Sequence, residues 1–169
     1  PEEVFWTLLQ IARIQENLGY EAKEVDSSYI KALKYRPSRP EPYYYLASRS
    51  RLNDDFKKGY QIAKLASQLP LSNDTLFLEK WTYEGLQFEL SVCAYYVGEY
   101  EECLKICDNL IANKNLSENY RKYVVSNRKF AVEKLEEQKL IKTIDNLFDD
   151  ATQAANSDKS DANKILQRG

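Results

Sequence analysis

The sequence predicts an all-α fold in which helical hairpins stack on one another. Equivalent residues recur 34 positions apart, and apolar residues recur every three to four positions between them, as in amphipathic helices. The recurring pairs are Leu18 and Leu52, Val25 and Gly59, Tyr29 and Ala63, and Ala32 and Ala66. This period is typical of paired-helix repeats, which stack because one helix pair cannot bury its own apolar face. We therefore expect a recognition or scaffolding surface.

The first unit, about residues 4–37, combines a helix over about 3–18 with a helix over about 21–35. Gly19 interrupts the apolar pattern between them. Pro37 ends the second helix, because the residue before a proline disfavours α geometry.

The second unit, about residues 40–70, begins with a helix over about 41–52. Pro42 lies in its first turn, where a missing N–H group costs nothing. A polar turn then leads into a helix over about 55–68, which Pro70 ends.

The third unit, about residues 75–112, is irregular. The segment 98–100 aligns with the second unit at an offset of 44, so ten additional residues precede it. Capping side chains at 72–74 and the pattern that follows predict one long helix over 75–96, with Gly85 as a candidate break.

A closing helix over 117–135 is predicted from the Ser117 cap and the acidic residue that follows it. Residues 136–169 are predicted as an amphipathic C-terminal helix, either an extension or a separate helix, with a frayed polar tail from about Ala155. Its apolar stripe comprises Leu140, Ile141, Ile144, Leu147, Phe148 and Ala151.

Composition excludes several functions. The 169 residues suit one domain or a short repeat array. Lys and Arg number 24 against 26 Asp and Glu, so there is no basic field for nucleic acid. No apolar run approaches the roughly 18 residues of a membrane span, and the start lacks the features of a signal peptide. A chain that opens at Pro1 and lacks Met looks like a fragment of a longer polypeptide.

The Cys and His counts limit the chemistry. Three cysteines are an odd number and too few for a disulfide framework, so we expect a reducing, cytoplasmic location. His is absent, which removes the commonest general base and the commonest metal ligand. We therefore expect no catalytic residue, no metal site and no cofactor.

The cysteines allow two interpretations. Cys103 and Cys107 share one helix face, and Cys93 lies on the preceding helix, so three thiolates are a possible metal-ligand set. Both Cys103 and Cys107 occupy small-residue positions of the repeat, where Cys acts as a compact apolar group. We favour core packing.

The hairpins resemble tetratricopeptide repeats. Ala32 and Ala66 match the small position, Phe56 and Tyr100 the aromatic position, and Pro37 and Pro70 the region of the closing proline. Gly59 and Cys103 depart from the pattern, since each replaces an expected Ala. The resemblance implies a right-handed helical-hairpin stack, an α-solenoid, with closing C-terminal helices.

A narrower resemblance covers about residues 4–130. Its motifs are the segments 35–47 (YRPSRPEPYYYLA), 76–80 (LFLEK), 88–91 (FELS) and 94–98 (AYYVG). They look like the helical-repeat region that accompanies many family 2 type glycosyltransferases. This resemblance implies a non-catalytic surface for a glycan or glycoprotein acceptor, a partner protein or the adjoining catalytic domain. The adjacent pairs Asp54-Asp55 and Asp149-Asp150 do not form the Asp-x-Asp metal motif of the catalytic domain.

The alternative is a free-standing tetratricopeptide adaptor that binds a peptide in its concave groove. Repeats that grip a terminal carboxylate use Lys and Asn at set groove positions. This chain has Gln10, Ile14, Tyr44 and Ser48 there, which disfavours that type of ligand.

The candidate groove residues are Tyr44, Arg49, Arg51, Glu89 and Tyr95. Glu89 lies between apolar residues on a groove-side helix, so its carboxylate needs a cationic partner. The candidate partners are Arg36, Arg39, Arg49 and Arg51. We favour an ion pair between hairpins over a ligand contact, and we expect Arg51→Ala to weaken binding without unfolding the domain.

The segment 120–137 mixes Lys and Arg with aromatic residues and with glutamates at helical spacing. A membrane or nucleic-acid face is one interpretation. A solvated helix surface is favoured because the charges are mixed.

Overall fold

A computed structural model describes residues 2–70 and 77–166, with side chains as far as residue 156. Within this part of the chain the fold is all-α, as predicted, with seven helices and no strand. The helices are α1 (Glu2–Asn17), α2 (Ala22–Tyr35), α3 (Pro40–Leu52), α4 (Phe56–Ala66), α5 (Trp81–Tyr96), α6 (Tyr100–Ala112) and α7 (Glu118–Leu166). None of these helices is long and apolar enough to cross a membrane.

The chain divides into two structural units, which differ from the three repeat units of the sequence analysis. From here on, the first unit is Pro1–Ala131 and the second unit is Val132–Gly169. In the first unit, consecutive helices pack as pairs: α1 on α2, α3 on α4, and α5 on α6. Helix α5 also contacts both members of the preceding pair, and α2 contacts α3. Each pair therefore covers an apolar face that its neighbour would otherwise expose.

The first helix of each pair ends in the same turn. Gly19 adopts a φ of 72°, and its N–H donates to the Glu16 carbonyl while the next N–H donates five residues back. Asp54 (φ 58°) and Gly98 (φ 88°) repeat both hydrogen bonds. This is the Schellman motif, in which a left-handed residue satisfies the last carbonyls of a helix.

The turns correct the predicted alignment by one residue. The sequence pairs Gly19 with Asn53, whereas the structure gives the left-handed conformation to Gly19 and Asp54. The distance from the left-handed residue to the start of the next helix is one residue longer before α2 than before α4. The second helices of the two pairs, α2 and α4, therefore return to the 34-residue spacing. Val25 and Gly59 are accordingly both buried at equivalent positions.

Two apolar clusters form the core of the first unit. The first contains Phe5, Leu9 and Tyr29 from the α1–α2 pair, together with Leu46 of α3. The second extends from α3 to α7; its buried members include Ala47, Leu86, Leu90, Cys107, Leu116 and Val124. Leu46 therefore extends the core of the first pair onto the second.

The long helix predicted over 75–96, the first of the third pair, is wrong at its start. Helix α5 begins at Trp81, and residues 77–80 are not helical. Phe77 has a φ of 57°, which is incompatible with a right-handed helix. The predicted capping segment 72–74 lies outside the described residues. Gly85 does not break α5 but lies inside it, facing α3.

The closing helix starts as predicted, and the Ser117 hydroxyl accepts a hydrogen bond from the Tyr120 N–H at 3.4 Å. Of the two alternatives for the region after 135, the extension is correct, because α7 continues to Leu166. The tail predicted to fray from about Ala155 is helical as far as Leu166. In the second unit, the apolar residues of α7 are exposed: Leu140, Ile141, Ile144, Leu147 and Phe148.

Candidate functional site

An ion pair connects α3 to α5. The Arg51 Nε lies 2.6 Å from Glu89 Oε2, and its Nη2 lies 3.2 Å from Glu89 Oε1. Glu89 is only 2% exposed, so the predicted need for a cationic partner is confirmed, and Arg51 is that partner. The hydrogen bond to Glu89 outweighs burial and raises the pKa of Arg51.

Aromatic side chains also meet where α3 packs on α5. Tyr44 meets Trp81 edge to face with ring centroids 4.8 Å apart, and Tyr45 meets Trp81 at 6.5 Å. Burial, together with a hydrogen bond that joins it to Tyr44, raises the pKa of Tyr120. A Cβ on Gly85 would lie 2.6 Å from the Tyr44 ring, so the glycine allows α3 and α5 to approach.

A cavity of about 380 Å³ opens beside the ion pair. Its lining residues are Arg51 from α3, Phe88 from α5, and Asn119, Tyr120 and Tyr123 from α7. The Phe88 ring lies 5.0 Å from Tyr120 and 6.3 Å from Tyr123. Tyr123 is 64% exposed, so its ring is available to a ligand.

We call the rings of Tyr44, Trp81, Phe88, Tyr120 and Tyr123 the aromatic face. Tyr44 and Trp81 lie on one side of it, and Phe88 and Tyr123 line the cavity on the other. The Tyr44–Tyr120 hydrogen bond joins the two sides. Aromatic rings with one polar end suit recognition of ligands that have both apolar and polar groups.

Arg49 is placed elsewhere. Its Nε donates to Asp26 at 2.8 Å, its Nη1 to Glu16 at 2.6 Å and its Nη2 to the Ala22 carbonyl at 3.3 Å. These acceptors belong to α1 and α2, so Arg49 connects the first pair to α3. Each of its three nitrogens already donates to the protein.

Tyr95 is also separate from the aromatic face. Its ring contacts Tyr96, Tyr100 and Phe130, at centroid distances of 5.4, 5.5 and 6.3 Å. Of the five predicted groove residues, the structure therefore brings together Tyr44, Arg51 and Glu89. It places Arg49 and Tyr95 in contacts that join helices.

Sequence reasoning missed a second, fully buried ion pair. The Arg39 Nη2 lies 2.6 Å from Glu41 Oε1, and both side chains have no exposed surface. Arg39 also donates to the Phe77 carbonyl at 3.0 Å, and Glu41 accepts from the Glu79 N–H at 3.1 Å. The pair thereby fixes the segment before α5. Its signal in the sequence is two opposite charges that flank Pro40 at a helix start.

Sequence reasoning also missed the part of the site that α7 supplies. Tyr120 and Tyr123 lie in the segment 120–137, for which the sequence favours a solvated helix surface, and Asn119 directly precedes that segment. The alternation of aromatic and charged residues there was visible, but its partner Phe88 lies about 30 residues earlier in the chain. Only the packing of α7 on α5 brings them together.

The core-packing interpretation of the cysteines is confirmed. Cys93, Cys103 and Cys107 are all fully buried, and the last two belong to the second core cluster. Mainly because of burial, the pKa of Cys93 is raised to about 12. Within the described residues, no group of three His, Cys, Asp or Glu side chains is arranged to hold a metal.

No protein-family model matches the chain, and no curated protein or solved structure matches it at a significant level. Function is therefore inferred from the geometry of the aromatic face and from the sequence motifs.

Proposed function

We propose that this chain is the non-catalytic, tetratricopeptide-like region of a glycosyltransferase, and that its aromatic face binds an acceptor, a partner protein or the adjoining catalytic domain. The three helix pairs and their repeated Schellman turns support a right-handed stack of hairpins. The motifs between residues 35 and 98 support the link to sugar transfer.

The observation that carries the binding role is an exposed aromatic surface on a rigid support. Trp81 is 42% exposed and Tyr123 64% exposed, and the partly buried rings of the aromatic face connect them. Tyr, Trp and Arg dominate the energetic centres of interfaces, because they bring large contact areas and hydrogen bonds together. Here the rings lie on α-helices, so little side-chain and loop freedom is lost on binding.

Binding fits this site better than catalysis. The charges of Arg51 and Glu89 satisfy each other, and Glu89 is buried beneath the cavity rather than exposed in it. A general acid or base has to reach the reacting group directly. We expect the isolated chain to transfer no sugar.

Affinity capture with the intact polypeptide tests the proposal. Tyr123→Ala removes an exposed ring of the aromatic face, and Tyr35→Ala, the control, removes another exposed tyrosine ring on α2. We expect Tyr123→Ala to lose the captured partner or acceptor and Tyr35→Ala to retain it. Equal capture by both variants would refute the role of the aromatic face.

In the adaptor alternative, the same aromatic face binds a peptide, and no catalytic domain adjoins it. The two candidates differ in the intact polypeptide. The glycosyltransferase proposal requires an adjoining catalytic domain with an Asp-x-Asp motif, and Tyr123→Ala should then lower transfer to acceptor. An adaptor should bind its peptide equally well as the isolated chain.

A further inference from the structure

We propose that the cavity beside the Arg51–Glu89 pair binds one uncharged sugar ring, a neutral pyranose of a glycan. The inference rests on the proposed function, since it names the ligand class of the aromatic face. The cavity of about 380 Å³ is near the lower end of the usual range for ligand sites. That size suits a single ring rather than an extended chain.

The walls of the cavity favour a saturated ring over a flat one. The Phe88 and Tyr123 rings are inclined at 59°, so they form an open wedge rather than a parallel slot. A flat aromatic ligand stacks on only one wall of such a wedge. A puckered pyranose presents C–H groups in several directions, and these carry slight positive charge that the negative faces of aromatic rings attract.

The polar groups at the cavity match ring hydroxyls. Glu89 uses the Nε and Nη2 of Arg51, and within the described part of the chain the Arg51 Nη1 has no acceptor. The Asn119 amide can both donate and accept hydrogen bonds. A hydroxyl also does both, so neighbouring hydroxyls of one ring can bond to Arg51 and to Asn119 together.

The charge balance disfavours an acidic ligand. Arg51 is the one cation among the lining residues, and the Glu89 carboxylate neutralises it. Glu84 also acts electrostatically on Tyr120. A carboxylate or phosphate would therefore lose its hydration without gaining a net positive field, whereas a neutral hydroxylated ring incurs no such cost.

Titration of the ¹⁵N-labelled chain, followed by NMR, tests the inference. The probes are methyl glycosides of neutral hexoses and N-acetylhexosamines, a methyl glucuronide, and a short aromatic peptide. We expect saturable shifts of the Asn119 side-chain amide and of the Gly85 N–H with at least one neutral glycoside. Tyr123→Ala should weaken that binding about tenfold, since aromatic contacts have about this effect, and Tyr35→Ala should leave it unchanged.

Several results would overturn the inference: no saturable shift with any neutral glycoside, tighter binding of the glucuronide, binding of the peptide alone, or equal sugar affinity in Tyr123→Ala. Urea unfolding of both variants establishes that each is folded. The proposed binding role is tested separately, by affinity capture. If Tyr123→Ala loses its captured partner while no neutral glycoside binds, the sugar inference is wrong and the binding role stands.

Discussion

The Arg51 guanidinium meets the Glu89 carboxylate through two hydrogen bonds, of 2.6 and 3.2 Å, across the α3–α5 contact. Glu89 is buried, whereas a quarter of the Arg51 side chain is exposed at the cavity. The same arginine therefore compensates a buried charge and contributes to the candidate binding site. This changes the expectation for Arg51→Ala, because its removal leaves Glu89 buried without a cation.

We predict that Arg51→Ala destabilises the first unit by about 3 kcal/mol, the usual cost of leaving one member of a buried pair unpaired. Glu89→Ala should be similarly harmful. The double variant Arg51→Met/Glu89→Leu should recover most of the loss, since apolar residues of similar size can replace a buried pair. Urea unfolding of the wild type, Arg51→Met, Glu89→Leu and the double variant gives the coupling free energy.

The matched control is the exposed pair of Arg128 and Asp108, whose nitrogen and oxygen lie 2.6 Å apart. Both side chains are more than 40% exposed, so Arg128→Ala should cost less than about 1 kcal/mol. Comparable losses for Arg51→Ala and Arg128→Ala would show that burial of Glu89 does not determine the effect.

Gly85→Ala is predicted to destabilise the protein, although alanine is the better helix former by about 1 kcal/mol. The added methyl group would lie 2.6 Å from Tyr44 Cε2 and 3.3 Å from the Tyr120 hydroxyl. Overpacking of this kind costs about 1–3 kcal/mol, so the net change should be unfavourable. Thermal or urea unfolding measures it.

A Tyr44→Ala background identifies the cause. With the Tyr44 ring removed, Gly85→Ala should become neutral or stabilising, because the helix preference then acts without the clash. If Gly85→Ala destabilises equally in both backgrounds, the contact with Tyr44 is not responsible.

Some of this arrangement could be predicted from the sequence because local signals determine it. The approximate extents of α1 to α4, the approximate positions of the three turns and the buried small residues follow from apolar spacing, glycine and proline positions, and the repeat. Glu89 was identified as a carboxylate in need of a cation because it lies between two apolar residues. The sequence therefore predicts that Glu89 forms an ion pair with an arginine, but it does not say which of the four candidate arginines is the partner.

The remainder depends on contacts that no local signal specifies. Arg39 pairs with Glu41 rather than with Glu89, and the non-helical segment before α5 supplies an acceptor to Arg39 and a donor to Glu41. Tyr95 points to Phe130 because α7 packs against α5, which the repeat pattern of the first three pairs does not predict. Asn119 and Tyr123 entered the site for the same reason.

Acid should reduce the stabilisation that Glu102 provides between α4 and α6. Glu102 accepts hydrogen bonds from the Lys64 ammonium at 2.6 Å and from the Tyr60 hydroxyl at 2.6 Å. Burial alone would raise the pKa of Glu102, but these two donors outweigh it and lower the pKa. The stabilisation is therefore present above the unfolded pKa of about 4.3 and is lost as pH falls through the lower folded pKa.

The comparison is with Glu102→Gln, which keeps the shape of the side chain and cannot ionise. Wild type should be the more stable protein near neutral pH, by less than about 1 kcal/mol because Lys64 is 42% exposed and screened. The difference should shrink below about pH 4.5 and at high salt. A difference in unfolding free energy that is constant across this range would contradict the assignment.

Cys93 should resist thiol reagents in the folded protein. It has no exposed surface, and burial with the nearby Glu89 charge raises its pKa to about 12, against a smaller lowering by Arg51. The thiolate is the reactive form, so at about pH 8 neither access nor ionisation favours labelling. Reaction then requires the structure to open, and its rate reports the opening free energy.

We expect slow labelling of Cys93 in buffer, fast labelling in urea, and fast labelling of an added Gln138→Cys on the exposed part of α7. Arg51→Ala should accelerate Cys93 labelling, because it weakens the α3–α5 contact beside this thiol. Rapid labelling of Cys93 in the folded wild type, at the rate of the Gln138→Cys thiol, would rule out its burial against α3 and α4.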